Sequence, residues 1–208
     1  PRSRPRGRDR QQPNLAWSQV PEGDPRSRAK MTPEQLAAAQ KAADARQLPH
    51  WKAVDGILVF DGKGQSLCTA KDYGDFELWV DWKIGKGGDS GIYLRGSPQV
   101  QIWENPVGSG GLFNNQKNPS KPLVVADKPV GEWNTFYIKT VGERVTVKLN
   151  GQLVVDNVVL ENYWERGKPI YPTGQIELQN HGIEEELRAL PILRSVAQRI
   201  GAKTVATC

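Results

Sequence analysis

Side chains able to do chemistry recur at every second residue in several short stretches of this 208-residue chain. Glu77, Trp79 and Asp81 alternate with Phe76, Leu78, Val80 and Trp82. Tyr93 and Arg95, Gln101 and Trp103, and Glu177 and Gln179 repeat the pattern in later stretches. A period of two puts alternate residues on opposite faces of a strand. With the apolar set facing a core, the other set forms one polar and aromatic surface. Such a surface suits sugars, because rings cover their C–H faces while carboxylates, amides and arginine bind their hydroxyls. Trp79 and Trp103 fit that role, with packing beneath a loop as the structural alternative. Taken singly, Glu177 and Asp81 read as carboxylates on a solvated sheet surface.

The elements that must position these residues are strands. Alternating runs occur at residues 76–84, 91–95, 99–103, 135–140, 144–150 and 175–179, with turn signals such as Lys86-Gly87-Gly88 and Asn150-Gly151 between several of them. Asn-Gly flanked by alternating runs predicts a tight hairpin. Many strands without intervening helices predict an all-β sandwich or jelly roll. Before them, Thr32-Pro33-Glu34-Gln35 reads as a capped helix start. That helix runs to about Gln47, stopped by Pro49, and its few large apolar residues predict weak packing. The polar segment 105–129 is long enough to suggest a binding loop or a solvated excursion. After His181-Gly182 the apolar spacing becomes helix-like, so 183–208 is expected to be a helical tail. The domain reading is a leader (1–30), a helical arm (31–49), a jelly-roll domain (50–182) and that tail.

Charge is unevenly placed. The net +5 resides entirely in residues 1–30, which hold eight Lys/Arg and three acids, so the remainder is neutral. That composition predicts a disordered basic leader. A nucleic-acid partner would depend on this arm alone, and the body is not expected to bind one. No stretch approaches the roughly 18 apolar residues of a membrane span, and no apolar segment of a signal peptide follows the basic start. A soluble protein is expected, periplasmic or secreted if a signal sequence precedes this chain. Walker loops, dinucleotide-binding glycine fingerprints, CxxC pairs and nucleophile elbows are absent. Two histidines cannot build a multi-histidine metal site, and Cys68 reads as a small core residue.

Trp51-Lys52-Ala53-Val54-Asp55-Gly56, followed by Tyr73-Gly74-Asp75-Phe76-Glu77-Leu78, resembles the start of the 3-keto-disaccharide hydrolase family. Gly87-Gly88-Asp89-Ser90-Gly91-Ile92-Tyr93-Leu94-Arg95, Val100-Gln101-Ile102, Glu132-Trp133-Asn134, Leu149-Asn150-Gly151 and Ile176-Glu177-Leu178-Gln179-Asn180-His181-Gly182 continue the likeness in order. The resemblance spans about residues 50–182. It implies a concanavalin-like jelly roll acting on glycosides whose glucose unit is oxidised at C3. Two departures stand out. Gln99 takes a place where members often have Glu, and 183–208 lacks the usual aromatic- and Arg-rich closing strand.

A 3-keto group acidifies the C2 proton, so a base can remove it and expel the C1 substituent, after which water adds to the enone. His181 is the expected base, because its pKa suits the task and it follows a strand in a glycine-bounded turn. Arg95 is expected to hold the enolate, and Glu77 or Glu104 to protonate the leaving group. Asp89, Tyr93, Gln101 and Gln179 join Trp79 and Trp103 as expected substrate-binding residues. No cofactor is required, although Asp89, Glu77 and Glu104 offer oxygen ligands to a divalent ion polarising the ketone. The alternative reading is a non-catalytic carbohydrate-binding module on the same fold.

Overall fold

The computed structural model describes residues 17–18, 25–54, 57–69, 71–180 and 192–197. In chain order the elements are β1 (Trp17–Ser18), α1 (Pro25–Arg28), α2 (Pro33–Gln47), β2 (Trp51–Val54), β3 (Ile57–Phe60), β4 (Leu67–Thr69), β5 (Phe76–Trp82) and β6 (Asp89–Leu94). They continue with β7 (Ser97–Trp103), β8 (Asn134–Val141), β9 (Arg144–Leu149), β10 (Gln152–Val159), β11 (Glu177–Leu178) and β12 (Ile192–Ala197). Antiparallel pairing arranges one sheet as β1-β4-β11-β6-β7 and a second as β10-β9-β8-β5-β12, with β2 and β3 a separate pair. The two large sheets make the expected jelly-roll sandwich.

Alternation becomes burial. In β8 every second residue is buried, and Phe136 and Ile138 are fully enclosed. They join Leu78, Val80, Val145, Val147 and Leu149 of their own sheet in one cluster with Ile92, Leu94, Val100, Ile102 and Leu178 of the other. Each such side chain contributes about 1.5–3 kcal/mol on leaving water. The Asn150-Gly151 turn takes positive φ at both residues, 51° and 84°, as the predicted hairpin requires. The capping box of α2 forms as read: Thr32 Oγ1 accepts from Gln35 N at 3.3 Å, and Gln35 Oε1 accepts from Thr32 N at 2.9 Å.

Both ends differ from expectation. Pro25–Arg28 lies against the body rather than in a free leader. Arg28 donates to Gln175 Oε1 at 2.7 Å, and Arg26 donates to the Trp164 carbonyl at 3.2 Å while lying over its ring. Composition registers the charge of these arginines but not their acceptors, which are about 140 residues away in sequence. Within the expected helical tail, Ile192–Ala197 is a strand paired to β5, from Ile192 opposite Asp81 to Ala197 opposite Glu77. The edge of β5 offers backbone donors and acceptors that require partners, and this demand overrides local helical spacing. The rest of 183–208 lies outside the described residues.

Residues 110–114, within the polar segment 105–129, are pinned along the free edge of β7. Gly110 N donates to Gln101 O, Gln101 N donates to Gly111 O, and Asn114 Oδ1 accepts from Gln99 N. Further along, Glu161 accepts from the N–H groups of Gln116, Lys117 and Asn118. Burial alone would raise its carboxyl, yet these donors pull it down to about 2. A depressed carboxylate stabilises the fold above its unfolded pKa, and the gain disappears as pH falls through the folded one. Stability should therefore drop by about 3 kcal/mol between pH 4.5 and 2 on account of this group. Chemical denaturation across that range should show the slope, and Glu161→Gln should lack it.

Arg95 follows β6 with φ of 55°, and Gly174 packs directly on its backbone, where an added Cβ would lie 2.8 Å from Arg95 Cα. Gly174→Ala should destabilise the protein by about 1–3 kcal/mol, as forced overpacking does. An unchanged urea midpoint would show that the close approach is not required.

Candidate functional site

The outward face of β11, β6 and β7 gathers half of the expected site residues: Asp89, Tyr93, Gln101, Trp103 and Gln179. Register places Asp89 opposite Trp103, Gly91 opposite Gln101, Tyr93 opposite Gln99, and Glu177 opposite Tyr93. Gly91 leaves room for Gln99: a Cβ there would stand 2.8 Å from Gln99 Oε1. Gln99 Nε2 then donates to Gln101 Oε1, and Gln101 Nε2 donates to Asp89 Oδ1 at 2.7 Å. Both amides are 3% exposed, so this chain of donors fixes their orientation inside the face. Gln179 is held by its backbone, whose N–H donates to Gly91 O and whose carbonyl accepts from Ser90 Oγ. Its amide donates to the Tyr93 oxygen at 3.3 Å.

Electrostatics separates the titratable groups. Burial, reinforced by Glu177, Tyr163 and Asp89, pushes the Tyr93 phenol up to about 12. Burial also raises the Glu177 carboxyl, against hydrogen bonds from Ser66 and Cys68. Tyr93 therefore remains an O–H donor across the neutral range. Glu177 had read as a solvated surface carboxylate; in a central strand, between Tyr93 and Cys68, it is half-buried. Cys68 is buried as expected, with Glu177 as its cross-strand neighbour.

At the end of β7 the face meets a cleft of about 450 Å³, lined by Trp103, Glu104, Trp82, Asp127, Lys128 and Glu132 among others. Trp103 Nε1 donates to Gly108 O at 2.7 Å, and the ring packs edge-on against Phe113. The Glu104 carboxylate accepts from Gly87 N.

Other expected members lie elsewhere. Glu77, Trp79 and Asp81 belong to β5, on the outer surface of the opposite sheet, with the core between them and Tyr93. There Glu77 faces Lys139, Trp79 stacks obliquely on Tyr137 at 5.0 Å, and Asp81 accepts from Thr135 Oγ1 at 2.7 Å. Alternation assigns a side of a strand but not the sheet that the strand joins, so one inferred surface is two. Arg95 is 2% exposed, and its Nη2 lies 2.9 Å from Asp75 Oδ1, which ties it away from the face. The Asp89, Glu77 and Glu104 oxygens are not brought together, and no described group of three His, Cys, Asp or Glu could hold a metal ion. His181 lies outside the described residues; Asn180 before it donates to Ser66 Oγ and Gly64 O. Gln99 was noted in sequence only as a departure, although it shares parity with Gln101 and Trp103.

Fold and face together define a β-sandwich with a buried amide–carboxylate network on one sheet and an aromatic cleft at its edge. The chain belongs to the 3-keto-alpha-glucoside-1,2-lyase-like domain family, whose family model matches residues 26–192. It is 27% identical to a 3-keto-disaccharide hydrolase of Bacteroides thetaiotaomicron, over 55% of this chain and 52% of that protein. The chain thus spans about half the length of that relative. Two Parabacteroides distasonis crystal structures, each described provisionally as a glycosyl hydrolase, share the fold. One has 24% identity and a TM-score of 0.59, covering 75% of this chain and 81% of its own. The other has 23% identity and a TM-score of 0.58, covering 73% and 91%.

Trp79 is separated from the face by the core, so Trp79→Ala should leave sugar affinity within about twofold while lowering stability by about 1–3 kcal/mol through lost packing. Calorimetric titration and thermal melts on one preparation check both halves.

Proposed function

We propose that this protein cleaves 3-keto-glycosides, including 3-keto-disaccharides, at the face of β11, β6 and β7. The observation that carries the reading is the buried Gln99–Gln101–Asp89 chain beside the Tyr93–Gln179 pair, lying within the span that matches the family. In the reaction a base takes the C2 proton, the C2–H electron pair moves toward the C3 carbonyl, and an enolate forms. Its collapse makes the C1–C2 double bond and breaks the bond from C1 to the leaving oxygen, which takes up a proton. Water then adds hydroxide to C1 and a proton to C2, releasing the 3-keto sugar. This differs from hydrolysis by two carboxylates flanking an oxocarbenium ion.

His181 serves as the base at C2. With Arg95 engaged by Asp75, the enolate oxygen is received by the Tyr93 hydroxyl and the Gln179 amide, donors that keep their protons, while the buried Gln101 amide, donating to Asp89, holds that carboxylate in place. Asp89 binds a sugar hydroxyl, and Trp103 covers the ring where the face opens into the cleft. Of the two expected proton donors, Glu104 is at the border of this face and Glu77 is not. A non-catalytic module would use the same face for affinity alone.

His181→Ala should lower turnover of a 3-keto-glucoside by about 10²–10⁴, the range for loss of a general base. Exchange of the C2 proton with deuterated solvent should slow in parallel. Unchanged turnover would remove His181 from the role, and wild-type protein that binds 3-keto-glycosides without changing them would identify a binding module.

A further inference from the structure

We propose that Glu177 is the acid that protonates the departing C1 oxygen. This inference rests on the elimination reading above and replaces Glu77 and Glu104 in that role. Three placements carry it. First, β11 is flanked on both sides, by β4 and β6, so Glu177 stands in the middle of the face rather than at its rim. Second, its cross-strand neighbours on that face are Tyr93 and Cys68, at the same level of the sheet. Third, Gln179, just beyond β11 and of the same parity as Glu177, reaches the Tyr93 oxygen, so adjoining residues present both a sugar-binding amide and the acid.

The groups facing Glu177 are Tyr93 from β6, Cys68 from β4 and Ser66 just before β4, with Asp89 and Tyr163 farther on, beside Tyr93. Among the described residues none of these is a cation. Desolvation moves the Glu177 carboxyl above its ordinary range, the direction that suits a general acid in glycoside cleavage. By contrast Glu104 is exposed at the end of β7, at the border of the face, and accepts from Gly87 N. In the step itself, the Glu177 O–H bond breaks as the C1–O bond breaks. The proton goes to the leaving alkoxide, and the carboxylate left behind is reprotonated from water.

The test compares wild type, Glu177→Gln and Glu104→Gln on methyl and 4-nitrophenyl 3-keto-glucosides, with C2–deuterium exchange followed in the same samples. A methoxide leaving group needs a proton, whereas nitrophenolate departs without one. Glu177→Gln should slow the methyl substrate by about 10²–10³, change the nitrophenyl substrate by less than about fivefold, and retain C2 exchange. Retained exchange also reports an intact fold. The alkaline limb of the methyl-substrate pH profile should disappear with the carboxyl. Equal losses on both substrates, loss of exchange together with turnover, or a leaving-group-dependent loss in Glu104→Gln instead would overturn the assignment. A wild-type protein that neither exchanges nor cleaves either substrate would remove the elimination reading itself, an outcome separate from these.

Discussion

The structure turns on the place where Arg95 is buried. A guanidinium cannot be left unpaired out of water without a cost of several kcal/mol, so its partner has to be brought to it. Asp75 supplies that partner from the start of β5, in the other sheet, and also accepts from Gly142 N in the turn between β8 and β9. Burial still pushes Arg95 below its ordinary value, and Asp75 works in the opposite direction. On the backbone side, Gly174 packs against Arg95, and Gly96 N donates to Gln175 O. Four parts of the chain therefore meet at one residue. The approach of Gly174 and Gln175 brings β11 beside β6, and that register alone sets Glu177 opposite Tyr93. The arginine expected to touch substrate instead fixes the element that presents the acid.

This explains why the face was only partly legible in the sequence. Strand periodicity, the Asn150-Gly151 hairpin and the Thr32–Gln35 cap are local, and each appears where the residues predict it. Gln101, Trp103, Tyr93 and Gln179 were recoverable because parity and hairpin register are short-range. Trp79 and Glu77 have the same parity and the same composition, yet β5 pairs with β8, more than 50 residues away. No local signal distinguishes the two sheets. Arg28 and Ile192–Ala197 fail for the same reason: each is organised by a distant acceptor or an open strand edge. Gln99 is a different case. Its role depends on Gly91 having no side chain, a relation across two strands that parity suggests only after the hairpin register is known.

The polar network also constrains what the face can tolerate. Gln99 and Gln101 bury two amides, and their mutual hydrogen bond followed by that to Asp89 limits the cost of desolvating them. A carboxylate in place of Gln99 would accept from Gln101 rather than donate to it, turning the Gln101 amide and depriving Asp89 of its donor. The amide at 99 thus determines which end of Gln101 points toward Asp89. Fixing that direction fixes where a ligand finds a donor and where it finds an acceptor.

Charge type separates the proposed chemistry from ordinary glycoside cleavage on physical grounds. An oxocarbenium ion develops positive charge at C1 and is stabilised by carboxylates held ionised next to it. Elimination from a 3-keto sugar develops negative charge on the C3 oxygen, so ionised carboxylates nearby would oppose it and neutral donors would assist it. The Tyr93 phenol retains its proton up to about 12, while its oxygen accepts from Gln179, and among the described residues its O–H donates to none, so a ligand can accept from it. The Gln179 amide is a donor at any pH. Burial shifts Glu177 toward the neutral form, which does not oppose enolate formation and can supply the proton that the next step consumes. One desolvated environment thus serves two successive steps with opposite charge requirements, and a solvated pair of carboxylates on the same strands would serve neither.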